Sequence, residues 1–228
     1  MKLSRMILVC TATLSLQALA SEAIGYYSSG KLKDGDSIID RGTPIHKLFM
    51  QRGRFFGTQV MQDTISDAAD FVRNTYPDSE LLQVGDIAQK GGGVLKEHGS
   101  HQNGLDADIV YLTKNKKLQS QTAPFWQEEF VKNGVVSDNL DLGRSLNLFR
   151  YLVTTHPVER IFVDQAIKKA FCSYAKKNNL LGDAEYAETL RRLRIEDLHT
   201  NHFHMRLTCP KTDMSCKAQA AVPAGTGC

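Results

Sequence analysis

The sequence has no marked excess of either charge, no internal repeat and, beyond its first twenty residues, no apolar run of membrane-spanning length. Its 28 basic residues include Lys2 and Arg5, and without these two, 26 remain against 25 acidic residues, a net charge of about +1. Such a balance gives no electrostatic basis for binding nucleic acid or an anionic membrane surface. We therefore expect a chain that has no membrane span and does not bind nucleic acid.

The N-terminus has the three parts of a secretory signal peptide. Lys2 and Arg5 precede a mostly apolar stretch that ends in the small-x-small sequence Ala18-Leu19-Ala20. We predict a signal peptide over 1–20, export to the periplasm, and one domain over 21–228 that is long enough for its own core. An N-terminal anchor helix is the alternative, although this stretch is short and polar for one.

Cysteines are few, and four of the five follow the predicted signal peptide. An even count in an exported chain favours two disulfides, and four cysteines allow three pairings. Cys209 and Cys216 flank a short segment that a disulfide can close as a local loop, which would leave Cys172 to pair with Cys228. Free thiols or metal-binding thiols are the alternative, although the spacing matches no common zinc module.

Hydrophobic periodicity predicts an α+β fold. Apolar residues at helical spacing predict helices over 56–76, 142–155 and 165–179, and strand-like stretches cover 81–87, 105–112, 158–163 and 202–207. Because helices and strands do not alternate strictly, we expect a single domain with a mainly antiparallel central sheet flanked by helices.

Two further stretches carry weaker predictions. Residues 21–54 are rich in Gly, Ser and charge and predict an extended surface segment. Phe125, Trp126 and Phe130 follow Pro124 and predict a short helix whose aromatic side chains belong to the core.

Five of the seven histidines fall in two short clusters. The clusters, with the aspartates that follow the first, are His98 and His101 with Asp106 and Asp108, and His199 with His202 and His204. In an alternating strand Asp106 and Asp108 share one face, and His202 and His204 share one face of theirs. Carboxylates beside imidazoles are costly to bury unless a cation pairs with them.

The ligand types predict a zinc site on the sheet. Neutral imidazole and carboxylate suit Zn²⁺, whereas histidines disfavour all-oxygen ions such as Mg²⁺ or Ca²⁺. A metal bound by one histidine of the second cluster lies within reach of its neighbour, as a general base requires. For a single histidine a structural role is the commoner outcome, but the joint placement of five reverses that expectation.

These motifs resemble a known family. His101 and Asp108, with six residues between them, and the later His202-x-His204 resemble the signature of the metallopeptidase group that includes lysostaphin, D-Ala-D-Ala peptidases and the hedgehog domain. The longer strings, 98–108 and 199–210, closely resemble one member family, the penicillin-insensitive murein endopeptidases. The resemblance covers most of the chain from about residue 25.

The resemblance implies a role for each clustered residue. It implies that the zinc ligands are His101, Asp108 and His204, and that His98 is a further ligand or a group that orients the metal-bound water. It makes His202 the catalytic base, and it places His199 in the catalytic site, where either His199 or His98 can stabilise the oxyanion. Asp106 either orients a ligand or is a solvated turn carboxylate.

The resemblance also implies the disulfides Cys172–Cys228 and Cys209–Cys216. The chain departs from the family pattern at two points. It lacks the cysteines of a third disulfide, which suggests a shorter or looser terminal region. Thr200 and Asn201 stand where acidic residues are common, which leaves the tuning of His202 open.

The activity that the resemblance implies is hydrolysis of D-alanyl-diaminopimelate cross-links in peptidoglycan. Because zinc chemistry needs no serine acyl-enzyme, penicillin is not expected to inhibit it. A D,D-carboxypeptidase or dipeptidase of the same metal chemistry, and a non-catalytic cell-wall binder with structural zinc, are the alternatives. The sequence also leaves open a homodimer and a second metal at its subunit contact.

Overall fold

A computed structural model describes residues 21–38 and 42–228. The predicted signal peptide lies outside the described residues and stays a prediction. The described residues form an α+β fold in which helices pack against a six-stranded sheet, with three two-stranded ribbons beside it. Across these two ranges, no helix combines the length and apolar character needed to cross a bilayer.

The predicted strand over 158–163 is confirmed, and the other three predicted strands are shorter than expected. The strands are β1 (Glu22–Tyr26), β2 (Ser29–Lys33), β3 (Asp36–Ser37), β4 (His46–Lys47), β5 (Phe56–Gly57), β6 (Gln83–Val84), β7 (Asp106–Ile109), β8 (Val131–Lys132), β9 (Val135–Val136), β10 (Val158–Val163), β11 (Leu193–Ile195) and β12 (Phe203–Leu207).

Each α-helix begins after a side chain that accepts a hydrogen bond from a first-turn N–H, which would otherwise have no partner. The helices and their caps are α1 (Gln59–Thr75, Thr58), α2 (Leu142–Thr155, Asp141), α3 (Gln165–Lys177, Asp164) and α4 (Ala184–Arg192, Asp183). The three predicted helices are confirmed, and Pro77 and Pro157 follow the ends of α1 and α2 as expected. The sequence analysis missed α4, because it is only nine residues long and has few apolar residues.

The central sheet is mixed, so the prediction of a mainly antiparallel sheet is wrong. Its strand order is β11-β10-β12-β7-β6-β4. The inner pairs are antiparallel, but β10 with β11 and β6 with β4 are parallel. The connections explain this, because α1 lies between β4 and β6, and α3 and α4 lie between β10 and β11. Such helical crossovers return the chain to the sheet in its original direction.

Strand β12 separates the core from the site. Phe203 and Met205 are 0% exposed on one face, where the ring of Phe203 lies 4.7 Å from that of Phe149 in α2. His204 and Arg206 alternate with them and point to the opposite face. The helices therefore support the sheet from one side and leave the other side to the histidines.

Two weaker predictions are wrong. Within 21–54, β1 and β2 form a hairpin, and Leu32, Leu48 and Phe49 are at most 2% exposed. Strands of two to five residues give no sustained period, so the sequence did not reveal them. Residues 125–130 form bends and irregular chain instead of a helix. Phe130 is buried as predicted, but Phe125 is 74% exposed.

The cysteines form Cys172–Cys228 and Cys209–Cys216. This confirms the pairing that the resemblance implies and excludes the alternative of free or metal-binding thiols. The first disulfide ties the C-terminus to α3, and Arg191 holds the same tail by donating to the carbonyl oxygen of Val222 at 2.8 Å.

Candidate metal centre

The pairing of β7 with β12 brings the two histidine clusters together. In this antiparallel register Asp108 lies opposite His204, and Asp106 lies opposite Arg206. Directly opposed residues have Cβ atoms about 5 Å apart, so their side chains meet on the shared face. The loop that precedes β7 carries the first cluster to the same place.

The site lies in a cleft of about 510 Å³. Asp108 and four of the five clustered histidines line it, and His101, at 0% exposure, lies buried behind them. Phe125 and Leu198, which are 74% and 87% exposed, add apolar surface to the walls. The cleft therefore combines an ionisable floor with walls that are partly apolar and partly charged, since Arg52, Glu97 and Asp197 also line it.

Four imidazole nitrogens surround the carboxylate of Asp108. Its Oδ1 lies 3.2 Å from Nε2 of His101 and 3.4 Å from Nε2 of His202. Nδ1 of His204 is 3.7 Å from the same oxygen, and Nδ1 of His98 is 3.8 Å from Oδ2. Ligand atoms of His98, His101 and Asp108 all lie within 4.8 Å of one another, so this group could hold a metal ion.

Two buried atoms of this cluster, Nε2 of His101 and Oδ1 of Asp108, have no hydrogen-bond partner within the described ranges. Leaving a buried polar atom unpaired costs about 1–3 kcal/mol. Both are metal-ligand atoms, and they face each other. A divalent cation would satisfy both, so these residues fit a metal ion.

In both His101 and His204, the ring nitrogen that faces away from Asp108 donates a hydrogen bond. Nδ1–H of His101 donates to the carbonyl oxygen of Ile87 at 2.7 Å, and Nε2–H of His204 donates to Asp106 at 2.6 Å. In the neutral form each of these imidazoles carries one ring hydrogen, so its other nitrogen then presents a lone pair toward Asp108. Such partners fix the ring orientation of metal-binding histidines.

Asp106 holds a candidate ligand, His204, and is not a solvated turn carboxylate, because it is 0% exposed. Its Oδ1 accepts from His204 and from Nε–H of Arg206, both at 2.6 Å, and its Oδ2 accepts from the backbone N–H of His101 at 3.4 Å. Burial acts to raise the pKa of Asp106, but Arg206 and His204 hold it below its ordinary range. The last bond supports His101 in a left-handed backbone conformation (φ 64°) that non-glycine residues rarely adopt.

Asp86 supports His98 in the same way, and the sequence analysis missed it. Its Oδ2 accepts from Nε2–H of His98 at 2.9 Å and from Arg52 and Arg54 at 2.8 and 3.1 Å. Burial acts to raise the pKa of Asp86, but His98 and Arg52 outweigh it and lower that pKa. The signal that could have found it is a lone carboxylate near the end of the predicted strand 81–87.

Burial and charge act differently on the histidines. Burial acts to lower the pKa of His101, but the carboxylates of Asp108 and Asp106 outweigh it and raise the pKa to about 9. Burial and the neighbouring His101 lower the pKa of His204 to about 3. A cation bound here therefore competes with a proton at His101 and meets a neutral imidazole at His204.

His202 is held on its face and on its edge. The Trp126 ring stacks on it at 4.5 Å with an interplanar angle of 10°, and Nδ1–H donates to Oδ1 of Asn201 at 2.6 Å. Gly85 makes room for this stacking, because a Cβ there would lie 2.7 Å from the indole. Trp126 was predicted as a core residue, and no sequence signal links it to a histidine 76 positions away.

His199 completes the site. Its Nδ1–H donates to the carbonyl oxygen of Asp197 at 2.7 Å, and its ring centroid is 5.0 Å from that of His202. Burial and the proximity of His202 lower its pKa. The structure thus brings together every residue that the sequence predicts for metal binding and catalysis: His98, His101, Asp108, His199, His202 and His204.

Comparison with known proteins gives a consistent result. The sequence model of one protein family, described as penicillin-insensitive murein endopeptidase, matches residues 23–228 of this chain. The chain is 30% identical over 210 residues to a penicillin-insensitive murein endopeptidase of Haemophilus influenzae, covering 90% of this chain and 70% of that protein. It is 28% identical to proteins of the same name from Klebsiella pneumoniae strain 342 and Escherichia coli strain K12, covering 92% of this chain and 74% of each.

Proposed function

We propose, because this chain belongs to the penicillin-insensitive murein endopeptidase family, that it is a zinc-dependent enzyme that cleaves D-alanyl-diaminopimelate cross-links in the periplasm. Family membership makes it a hydrolase of murein peptide bonds. The observation that carries the metal dependence is the facing pair of buried, unpartnered ligand atoms on His101 and Asp108.

We assign the zinc to Nε2 of His101, the carboxylate of Asp108 and Nδ1 of His204, with His98 as a further ligand or an orienting group. Imidazole and carboxylate together suit Zn²⁺ better than an all-oxygen ion. Zn²⁺ bound there would supply a Lewis acid for the scissile carbonyl and would make a water molecule more acidic. Asp106 and Asp86 support this set from behind by fixing two of its rings.

His202 is the proposed general base. Its Nδ1 hydrogen is engaged by Asn201, so Nε2 presents a lone pair toward Asp108 at 3.4 Å. From there it can take a proton from the attacking water and deliver it to the leaving amine. Stacking on Trp126 fixes the plane of the ring and therefore the direction of that lone pair.

His199 has a supporting role in this proposal. Its Nδ1 hydrogen is engaged by Asp197, and its lowered pKa keeps the ring neutral, so its Nε2 accepts hydrogen bonds and does not donate them. Because Nδ1–H is already engaged, donating from Nε2 to an oxyanion would require the imidazolium. We therefore assign His199 to orienting the attacking water beside His202.

The cleft walls offer apolar surface to part of a murein peptide. Phe125 and Leu198 present apolar surface beside the histidines, and alanyl methyl and diaminopimelate methylene groups are ligands of matching chemistry. Two disulfides and the predicted signal peptide over 1–20 support export of the domain over 21–228 to an oxidising compartment such as the periplasm.

The test is digestion of purified, cross-linked muropeptide dimers by zinc-loaded protein, followed by mass spectrometry. Conversion of dimers to monomers is expected, with no inhibition by penicillin and loss of activity in chelator or in His101→Ala. His156→Gln removes a histidine outside the cleft and should stay active. Release of terminal D-Ala alone would assign a carboxypeptidase, and binding without turnover would assign a cell-wall binder.

A further inference from the structure

An exposed carboxylate is linked to His202 through one side-chain amide. Oε1 of Glu129 accepts from Nδ2 of Asn201 at 2.8 Å, and Oδ1 of the same amide accepts from Nδ1–H of His202 at 2.6 Å. We infer that Glu129 is a positioning residue that fixes, through Asn201, which ring nitrogen of His202 carries the hydrogen. The inference rests on the proposed role of His202 as the base.

The chemistry of the three groups permits one arrangement. A carboxylate only accepts hydrogen bonds, so Glu129 must face the NH₂ end of the Asn201 amide. The carbonyl end then faces His202 and only accepts as well, so Nδ1 must carry the ring hydrogen. Nε2 is left with a lone pair directed toward Asp108, 3.4 Å away.

Without the carboxylate of Glu129, no acceptor fixes which end of the Asn201 amide faces His202. If it turned over, its NH₂ end would face Nδ1 of His202, and the hydrogen would move to Nε2. A ring with that hydrogen cannot take a proton from water. The same physical effect, a histidine held in the wrong tautomer, strongly impairs catalytic triads.

The position of Glu129 is fixed by the core. The backbone N–H of the next residue, Phe130, donates to the carbonyl oxygen of Thr200 at 2.7 Å, and the hydroxyl of Thr200 donates to Oε2 of Glu129 at 2.6 Å. Phe130 is 0% exposed and packs edge-on against Tyr111 at 5.4 Å. Both oxygens of an exposed carboxylate are thus engaged, which a freely solvated surface charge does not require.

The decisive experiment restores the acceptor by another route. Glu129→Leu should lower kcat on cross-linked muropeptides by about 10- to 100-fold with little change in KM. Adding Asn201→Asp should restore kcat to within a few-fold of wild type, because the introduced carboxylate accepts directly from Nδ1–H. Glu128→Gln is the matched control. The carboxylate of Glu128 accepts from Asn139 and contacts neither Asn201 nor His202, so this variant should keep full activity. An unchanged kcat in Glu129→Leu, or a double variant as slow as the single one, would overturn the inference.

A second measurement does not depend on turnover. Long-range ¹H–¹⁵N NMR correlations of zinc-loaded protein at about pH 8, where an ordinary imidazole is neutral, report the tautomer, with His202→Gln assigning the signal. We expect hydrogen on Nδ1 in wild type, on Nε2 in Glu129→Leu, and on Nδ1 again in the double variant. The same tautomer in all three would refute the inference. Protein that shows these tautomers but leaves dimers uncut would refute the proposed function alone.

Discussion

Replacing Asp106 by asparagine removes one charge from a buried cluster and leaves its shape nearly unchanged. Asp106 is 0% exposed, and its two strongest donors, His204 and Arg206, are 6% and 5% exposed. An asparagine oxygen in the place of Oδ1 can still accept from both donors. The amide NH₂ in the place of Oδ2 loses only the long bond from the backbone N–H of His101, at 3.4 Å, so the substitution tests mainly the charge of this residue.

The expected loss follows from the guanidinium that remains. Arg206 lies 3.5 Å from the ring centroid of Tyr27 and 4.9 Å from that of Phe162, so it cannot readily turn out to water. Removing one partner of a buried ion pair costs about 3–5 kcal/mol. In a chain of this size, each kcal/mol of lost stability lowers Tm by about 2–4 °C, so we expect Tm to fall by roughly 6–20 °C.

A matched double variant isolates the cause. If unbalanced charge dominates, Asp106→Asn with Arg206→Met should recover most of the lost stability, measured by urea unfolding of the metal-free proteins. Zinc affinity should fall by about 10- to 100-fold in both, since a neutral acceptor makes His204 a weaker ligand. A single variant that loses less than about 1 kcal/mol, or a double variant no more stable than the single, would refute this reasoning.

Three further outcomes are expected. Chelation should lower Tm by roughly 5–10 °C in calorimetry, because zinc at about 100 times its Kd contributes about 2.7 kcal/mol, and an unchanged Tm would contradict metal binding. Trp126→Leu should reduce kcat roughly tenfold without changing zinc affinity, since His202 loses its stacking partner, and a weaker zinc titration would point to a different role. Burial acts to raise the pKa of Glu80, but the hydrogen bonds from Arg144, Thr113 and Ser79 together outweigh it and hold that pKa below 4.5. The stabilisation is therefore present above pH 4.5 and lost in acid, so Glu80→Gln should cost roughly 2–3 kcal/mol at pH 7, and a cost independent of pH in unfolding curves would contradict this.

The part of the site that could be predicted from sequence is local. His101 and Asp108 are seven positions apart, and His202 and His204 alternate along one strand, so spacing grouped each pair, while the resemblance to the family supplied their roles. Asp86 and Trp126 were missed because their contacts depend on how distant loops fold back. Nothing in the residues around 126 indicates that a histidine will stack there.

In the fold, too, local features could be predicted from the sequence and features that depend on distant contacts could not. The periods over 142–155 and 158–163 are long enough to give α2 and β10 their observed bounds. Strand β4 has two residues, too few for any period, and β6 keeps only two of the residues predicted over 81–87; their parallel pairing follows from the helix between them. Local pattern therefore predicted the long elements, while chain connectivity decided the edges of the sheet.

The register of β12 against β7 joins the core to the chemistry. Alternation places Phe203 and Met205 in the core and His204 on the cleft side, opposite Asp108. A slip of one residue would put every side chain of the strand on the wrong face, burying imidazole and exposing phenylalanine. The apolar packing that stabilises the sheet therefore also sets the spacing of the ligand atoms. Consequently, a polar substitution at Phe203 should weaken zinc binding as well as folding, although this side chain points away from the site.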